Sequence, residues 1–204
     1  LLLVGVSLFA VLLALGFFIS IGLGAYKRTL FTIIECKITL IIKDTAGSDA
    51  EFRKSLKLKA NHTGLSQFDH RNLSADGSFS DFKVNGIPVQ PKKDAGDFIV
   101  EVRFPPLKRG AILSTDLSLR IRDSFPSTTE AATYLVAHPT EKLVVEIHLP
   151  DGRPAQEVRV YRRRGGETDT NVTPEPKLAA SNTRIAWEAS NLKDLGAEYI
   201  VEWV

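Results

Sequence analysis

The residue types best suited to catalysis are scattered along this chain without the spacings that catalytic or metal sites use. The histidines are His62, His70, His138 and His148. No HExxH or CxxC motif accompanies them. Gly64-Leu65-Ser66-Gln67-Phe68 starts like the G-x-S-x-G nucleophile motif but lacks its last glycine. His62, Asp69 and His70 fall in one irregular stretch, where solvated loop residues are favoured over metal ligands. We therefore expect no enzyme activity, no metal and no cofactor.

A group of arginines is the best candidate for a binding site. It comprises Arg159, Tyr161, Arg162, Arg163 and Arg164. Arginine presents a planar fork of donors that suits phosphate and carboxylate groups, and the tyrosine could stack on a ligand. The pattern predicts a small anionic ligand, with a nucleotide as one example. The alternative is a solubilising charge run at the end of a strand.

The first 24 residues, Leu1 to Gly24, contain no charged side chain. As a helix they would extend about 36 Å, enough to cross a hydrocarbon core of roughly 30 Å. We predict a transmembrane helix over residues 1–25, and a cleaved signal peptide or a buried helix are the alternatives. The sequence has no methionine and begins inside this run, so we expect a piece of a longer chain.

Charge flanking the apolar run indicates its orientation. Lys27 and Arg28 follow it directly, which by the positive-inside rule favours a cytoplasmic location for the rest of the chain. The single cysteine, Cys36, cannot form an internal disulfide and so does not indicate an oxidising compartment. Three N-x-S/T sequons, which begin at Asn61, Asn72 and Asn171, support the alternative of an exported domain.

Small residues recur every four positions within the apolar run. They are Gly16, Ser20 and Gly24. A stripe of small side chains lets two helices approach closely, so the pattern is typical of helix self-association and predicts a homo-oligomer. Chance recurrence in a segment rich in small residues is the alternative.

The region 26–204 alternates apolar and polar residues in short segments, which predicts about nine or ten strands without a long helix. We expect an all-β domain, an antiparallel β-sandwich or barrel, with a subdivision near residue 105 as an alternative. In the first strand the apolar set that runs in steps of two from Leu30 to Ile42 is predicted to face inward. Lys54, Lys57 and Lys59 are predicted to lie on or near the solvent side.

Two other segments carry specific expectations. Residues 61–78 lack a clear period and are predicted to form a loop or a short helix near Leu65. Trp187, Tyr199 and Trp203 belong to the last two strands, which we expect to form a terminal hairpin with these aromatics in the core. The alternative for the aromatics is an exposed recognition strip.

The net charge is +2, from 26 basic and 24 acidic residues. This balance excludes a strongly basic nucleic-acid binder, so we expect no duplex nucleic acid as a partner.

The apolar segment LLLVGVSLFAVLLALGFFISIGLG, followed by a strand-rich domain, resembles the two-transmembrane, β-strand-rich effectors associated with CD-NTases in bacterial anti-phage defence. The resemblance lies in this architecture, although only one such helix is visible here. It implies a β-barrel that binds a cyclic nucleotide and helices that oligomerise and damage the inner membrane.

The sequence as a whole therefore predicts a membrane-anchored, non-enzymatic β-domain that senses or binds a ligand. In the sharper form of this hypothesis it is a nucleotide-responsive membrane effector in defence. The alternative is a protein-interaction module with an immunoglobulin-like β-sandwich, either cytoplasmic or exported.

Overall fold

The computed structural model describes residues 29–73, 75–94, 97–179 and 181–204, and these residues form fifteen β-strands and no helix. The strands are β1 (Phe31–Ile42), β2 (Asp49–Ala60), β3 (Leu65–Leu73), β4 (Ser78–Val84), β5 (Ile87–Pro88), β6 (Lys92–Asp94), β7 (Asp97–Leu107), β8 (Ile112–Arg122), β9 (Glu130–Leu135), β10 (Thr140–His148), β11 (Val158–Arg164), β12 (Glu167–Asp169), β13 (Lys177–Ala179), β14 (Arg184–Leu192) and β15 (Glu198–Trp203). The predicted all-β fold is confirmed. These ranges accordingly hold no helix with the length and apolarity needed to span a membrane. The predicted transmembrane helix, residues 1–25, lies outside the described residues.

The strands form three sheets. An eight-stranded sheet has the order β13-β14-β10-β1-β2-β8-β4-β5, a four-stranded sheet the order β12-β11-β15-β9, and a three-stranded sheet the order β3-β7-β6. The prediction of a purely antiparallel arrangement is wrong at the centre of the largest sheet, where β1 and β10 run parallel. Alternation along a strand does not depend on the direction of its neighbour, so the sequence pattern could not reveal this pairing.

The first strand changes its inward face part-way along its length. Phe31 and Ile33 are buried before the register shift between Ile33 and Glu35, and Cys36 is buried after it. The predicted inward set is therefore correct from Cys36 to Ile42 and wrong before it, because a β-bulge at Ile34 adds one residue and reverses the parity.

Five strands of the eight-stranded sheet bury one common face, which we call the covered face. Its three central rows run across β8, β2, β1, β10 and β14. The first row consists of Thr115, Leu56, Cys36, Leu143 and Ala189. The second consists of Leu117, Lys54, Ile38, Val145 and Trp187. The third consists of Leu119, Phe52, Leu40, Ile147 and Ile185. Almost every member is apolar, and most are less than 7% exposed. This face must therefore be packed against other elements to be stable in water.

The two smaller sheets pack on the covered face through aromatic side chains. Tyr199 of β15 stacks on Trp187 of β14, with ring centroids 5.6 Å apart. Phe68 of β3 meets Phe31 of β1 edge-on at 5.5 Å, and Phe98 of β7 lies 5.6 Å from Phe82 of β4. The four-stranded sheet thus covers the β14 side of the large sheet, and the three-stranded sheet covers the β4 side.

Other sequence predictions require correction. Residues 65–73 form strand β3 and not the predicted loop or short helix. The last two strands, β14 and β15, do not form a hairpin but belong to different sheets. Trp187 and Trp203 are each 2% exposed, so the prediction of core aromatics is confirmed and that of an exposed strip is wrong. Pro105-Pro106 lies inside β7, and the alternative subdivision near residue 105 stays a prediction.

The loop between β8 and β9 is held close to the β1–β2 turn. Phe125 donates its backbone N–H to the carbonyl oxygen of Gly47 at 3.2 Å, and Asp123 donates to that of Ser48 at 3.0 Å. Gly47 has a φ of +69°, and a Cβ atom there would lie 1.7 Å from the carbonyl oxygen of Phe125. Only glycine permits this close approach, which fixes one wall of the cavity described below.

Gly47→Ala is expected to destabilise the protein by roughly 2–4 kcal/mol, because the new methyl group must displace the Phe125 backbone as well as adopt a positive φ. Gly64→Ala is the matched control, since Gly64 has a φ of +86° with no heavy atom within 4 Å of an added Cβ. The control should lose only about 1 kcal/mol. Urea unfolding of both variants would measure the two losses, and equal losses would contradict the proposed close contact.

Candidate functional site

The arginine group predicted as a ligand site lies on β11, and alternation divides it between two faces. Arg159, Tyr161 and Arg163 point one way, while Arg162 and Arg164 point the other way with the buried Val160. The structure therefore does not bring the five side chains into one cluster.

Each of these arginines also has a carboxylate partner. Arg159 pairs with Glu157 at 2.8 Å, and Arg163 pairs with Glu198 at 2.7 Å. On the other face Arg162 lies 3.5 Å from Asp194, which also pairs with Arg164. Neutralised guanidinium groups attract an incoming anion less strongly than free ones, because the ligand must compete with the resident carboxylate. A ligand site on β11 stays a prediction.

A cavity of about 520 Å³ lies above the covered face, between the edge strand β9 of the four-stranded sheet and the edge strand β3 of the three-stranded sheet. Its floor is the apolar surface of the large sheet. The floor residues are Ile38, Leu40, Phe52, Leu119, Ile121 and Val145. Its walls come from residues 130–135 of β9, from Arg71 and Leu73 of β3, and from the loop held by Gly47. The size and largely apolar floor are typical of small-ligand pockets.

Lys54 lies at one end of this cavity and is the single charged side chain in the three central rows of the covered face. Its Nζ atom stands over the ring of Tyr134, 5.9 Å from the centroid, within the range of a cation–π contact. No carboxylate among the described residues forms an ion pair with it. Burial lowers the pKa of Lys54, since desolvation disfavours the ammonium form. The prediction that Lys54 lies on the solvent side is wrong.

A chain of buried polar groups lies beside Lys54. The hydroxyl groups of Tyr134 and Thr140 are 2.7 Å apart, and Thr140 donates to the carbonyl oxygen of His138 at 3.0 Å. The Cys36 thiol also hydrogen-bonds Tyr134, and burial raises the pKa of Cys36 to about 11. Burial likewise raises the pKa of Tyr134. Cys36 lies on the buried parity, as predicted, and it is a neutral core thiol.

His70 reaches the same polar layer from β3. It is 1% exposed, and its Nε2 atom lies 3.4 Å from the hydroxyl of Thr115. Its Nδ1 atom is buried without a hydrogen-bond partner among the described residues. Burial lowers the pKa of His70 to about 3, and the positive charge of Lys54 contributes. Asp69 points to the opposite side of β3, where it pairs with Arg71 at 2.7 Å. Within the described ranges, no three histidine, cysteine or acidic side chains converge as metal ligands would.

The mouth of the cavity, at the end away from Lys54, is more acidic than its interior. Asp76 is exposed, while Glu130 and Glu202 are partly exposed. Glu130 accepts a hydrogen bond from the backbone N–H of Ser127 at 2.6 Å, and burial raises its pKa. The site therefore presents an ammonium group inside. Near the mouth it presents three carboxylate groups and the guanidinium group of Arg71, which is paired with Asp69.

The sequence contained a signal for Lys54 that the segment-by-segment interpretation missed. Lys54 is two residues from Phe52 and two from Leu56, so strict alternation places all three on one face. The other lysines of β2, Lys57 and Lys59, have the opposite parity and are exposed.

Comparisons with protein families and with curated proteins find no match to this sequence. Solved structures do share its fold. A protein of Legionella pneumophila, whose name assigns it provisionally to nutrient binding, superposes with a TM-score of 0.50 at 11% identity and covers 87% of this chain and 68% of its own. At this identity the likeness shows the fold alone.

Two more distant structures are peptidases by name. The M1 zinc metallopeptidase of Deinococcus radiodurans has a TM-score of 0.46 at 12% identity, over 85% of this chain and 42% of its own. A Parabacteroides distasonis protein, named provisionally as a protease, has a TM-score of 0.47 at 15% identity, over 85% of this chain and 40% of its own. The chain thus spans less than half the length of either protein.

His70 is expected to make the protein sensitive to mild acid. Its folded pKa of about 3 lies below the value of 6.5 for an exposed histidine, so below pH 6.5 the unfolded chain binds a proton that the folded chain does not. This difference should lower the free energy of unfolding by up to about 1.4 kcal/mol per pH unit as the pH falls from 6.5 towards 3.

The measurement is urea unfolding at pH 7.0, 6.0 and 5.0, a range in which most carboxylates stay ionised. His70→Gln keeps a polar partner for Thr115 but cannot be protonated, so its stability should change less over this range. If the free energy of unfolding changed equally with pH in the wild type and in His70→Gln, the acid sensitivity could not be assigned to His70.

Proposed function

We propose that this chain is a non-catalytic binding module whose cavity above the covered face takes a ligand with an apolar body and one anionic group. The observation that carries the proposal is Lys54, a partly buried ammonium group that faces a 520 Å³ cavity without a carboxylate partner among the described residues. An unpaired buried charge is costly, and a ligand anion would compensate it.

The shape of the site supports an amphipathic ligand. The floor offers aliphatic and aromatic side chains from four strands, which would bury an apolar body. Lys54 lies in the last row of the floor, so an anionic group that reached it would lie at the inner end of the cavity and not at the surface. The Legionella protein that shares the fold is named for nutrient binding, and this name agrees with a binding role.

The chemistry beside Lys54 supports binding rather than catalysis. General acid–base catalysis needs a group whose pKa lies near the working pH. The pKa values of the neighbouring groups lie far from neutral pH. The pKa of Cys36 is raised to about 11, that of His70 is lowered to about 3, and that of Tyr134 is raised above its usual value. Among the described residues, no carboxylate is hydrogen-bonded to any of these three groups.

The probe for this proposal is 8-anilinonaphthalene-1-sulfonate, which combines two aromatic rings with one anionic group. We expect it to bind the purified chain with increased fluorescence and to be displaced by octanoate but not by octylamine. Lys54→Met should weaken binding about tenfold or more, as expected for loss of a charge-assisted contact. Lys57→Met is the matched control, since Lys57 is exposed on the other face of β2.

Methionine approximates the length of lysine without its charge, so the Lys54→Met protein is expected to fold, which its urea midpoint would verify. A cyclic nucleotide, the ligand implied by the resemblance to anti-phage effectors, is titrated in parallel. Displacement of the probe by the nucleotide in the wild type but not in Lys54→Met would identify it as the anion. Equal binding of the probe to the wild type and Lys54→Met would refute the proposed site.

We also propose that residues 1–25 attach the domain to a membrane, with Lys27 and Arg28 on the cytoplasmic side. Self-association through Gly16, Ser20 and Gly24 stays a prediction, because these residues lie outside the described ranges.

Protease protection of a C-terminal tag in sealed inner-membrane vesicles of known orientation would test this attachment. We expect cleavage when the cytoplasmic face is outward and protection when it is inward. A double variant with Lys27→Glu and Arg28→Glu is expected to place the C-terminal tag on the cytoplasmic side less often. Release of the chain by an alkaline carbonate wash would exclude a spanning anchor.

A further inference from the structure

The cavity is bordered by two strands whose outer edges are unpaired. β9 ends the order of the four-stranded sheet and pairs only with β15, and β3 ends the order of the three-stranded sheet and pairs only with β7. Among the described residues no strand pairs with the other edge of either. Backbone N–H and C=O groups on such edges are free to pair with an added strand.

The gap between these edges closes at one end. The ring of Phe68, on β3, lies 5.7 Å from the ring of His138, three residues beyond the end of β9. Away from this contact, Arg71 and Leu73 of β3 line one wall of the cavity and Ala131 to Thr133 of β9 line another. The cavity therefore lies between the two strand edges, beyond the contact of Phe68 with His138.

Lys54 marks the closed end of this space. The row of the covered face that contains Lys54 and Ile38 lines the cavity, but the next row towards Phe31, which contains Cys36, Leu56 and Thr115, does not. A chain that entered from the mouth would thus stop at the ammonium group. A space closed at one end admits the end of a polypeptide more readily than an internal segment.

We propose that the ligand is the C-terminal segment of a partner polypeptide, bound as an extended strand between β9 and β3 with its terminal carboxylate on Lys54. The inference rests on the proposed function and names its ligand class. β9 has six residues, so the bound segment would be about six residues long, roughly 20 Å. Alternate side chains would face the apolar floor.

The charges at the mouth agree with a peptide that binds with its C-terminus at Lys54 and its upstream residues at the mouth. Asp76, Glu130 and Glu202 outnumber the single guanidinium group of Arg71, which is already paired with Asp69. The mouth would therefore repel an anion that remained outside but attract a basic residue upstream of the terminus. The expected ligand therefore has alternating apolar residues, a free carboxylate at its end and a basic residue about five positions before it.

The probe is a rhodamine-labelled peptide, Lys-Val-Ser-Val-Ser-Val, with a free C-terminal carboxylate, and its binding to the full chain is followed by fluorescence anisotropy. The C-terminal amide of the same peptide should bind about tenfold more weakly, because the charge-assisted contact with Lys54 is lost. A peptide N-methylated at alternate amides should lose binding as well, since it cannot donate to a strand edge.

Protein variants complete the test. In Lys54→Met the carboxylate and amide peptides should bind equally, whereas Lys57→Met should keep the tenfold difference. Hydrogen exchange of backbone amides in β9 and β3 should slow when the carboxylate peptide binds. The ligand-side comparisons use the wild-type protein and so do not depend on how well a variant folds.

The outcomes separate this inference from the proposed function. Binding of 8-anilinonaphthalene-1-sulfonate without binding of the peptide would overturn strand addition and leave the cavity as a small-molecule site. Equal affinity of the carboxylate, amide and N-methylated peptides for the wild type would also overturn it. Absence of binding by both the dye and the peptide would overturn both.

Discussion

The structure depends on one continuous apolar surface that water must not reach. Five strands, β8, β2, β1, β10 and β14, each direct one parity of side chains to the covered face, and their registers align these side chains in rows. Because every strand contributes to every row, no single strand can be exposed without opening the core. The parallel pairing of β1 and β10 joins the two halves of this surface, and it brings Cys36 beside Leu143 at the centre. The two smaller sheets are the elements that cover it.

The candidate site exists because two separate sheets, rather than one, pack on the covered face of the large sheet. Each small sheet ends in an edge strand, and Phe68 on one edge approaches His138, just beyond the other. The apolar floor between the edges is closed at the side by the loop that packs on Gly47. The guanidinium group of Arg153 donates to the carbonyl oxygens of Phe125 and Ser127 and so holds the same loop. This wall of the cavity is therefore fixed by contacts with backbone atoms.

Much of the fold followed from alternation, and the errors have identifiable causes. Period-two patterns predicted about nine or ten strands, and the structure has eleven strands of six or more residues. The missed strand, β3, carries Asp69, Arg71 and Gln67 on its open face and contains turn-forming residues, so its composition resembles a loop. The bulge at Ile34 and the parallel pairing of β1 are decided by neighbours that a local pattern cannot see.

The site was less accessible to sequence reasoning than the fold. The arginines of β11 stood out because three of them are consecutive, yet consecutive residues of a strand point to opposite faces. Arg159 pairs with Glu157, two residues before it, and the three consecutive arginines lie beside carboxylates of residues 194–198. Lys54 was inconspicuous among the lysines of β2, although its parity matched that of Phe52 and Leu56. Its significance appears only when no acidic partner is found for it among the described residues, and that depends on what β9 and β3 place opposite it.

A lone ammonium group on the covered face lowers the stability of the domain. A methionine or leucine in the same row would pack on Ile38 and Leu117 without the desolvation cost that lowers the pKa of Lys54. The contact with the Tyr134 ring offsets only part of that cost, because cation–π contacts contribute about 0.5–2 kcal/mol. Under the proposed function, an anion bound in the cavity would offset the remaining cost, and this gain would favour a ligand that ends in a negative charge.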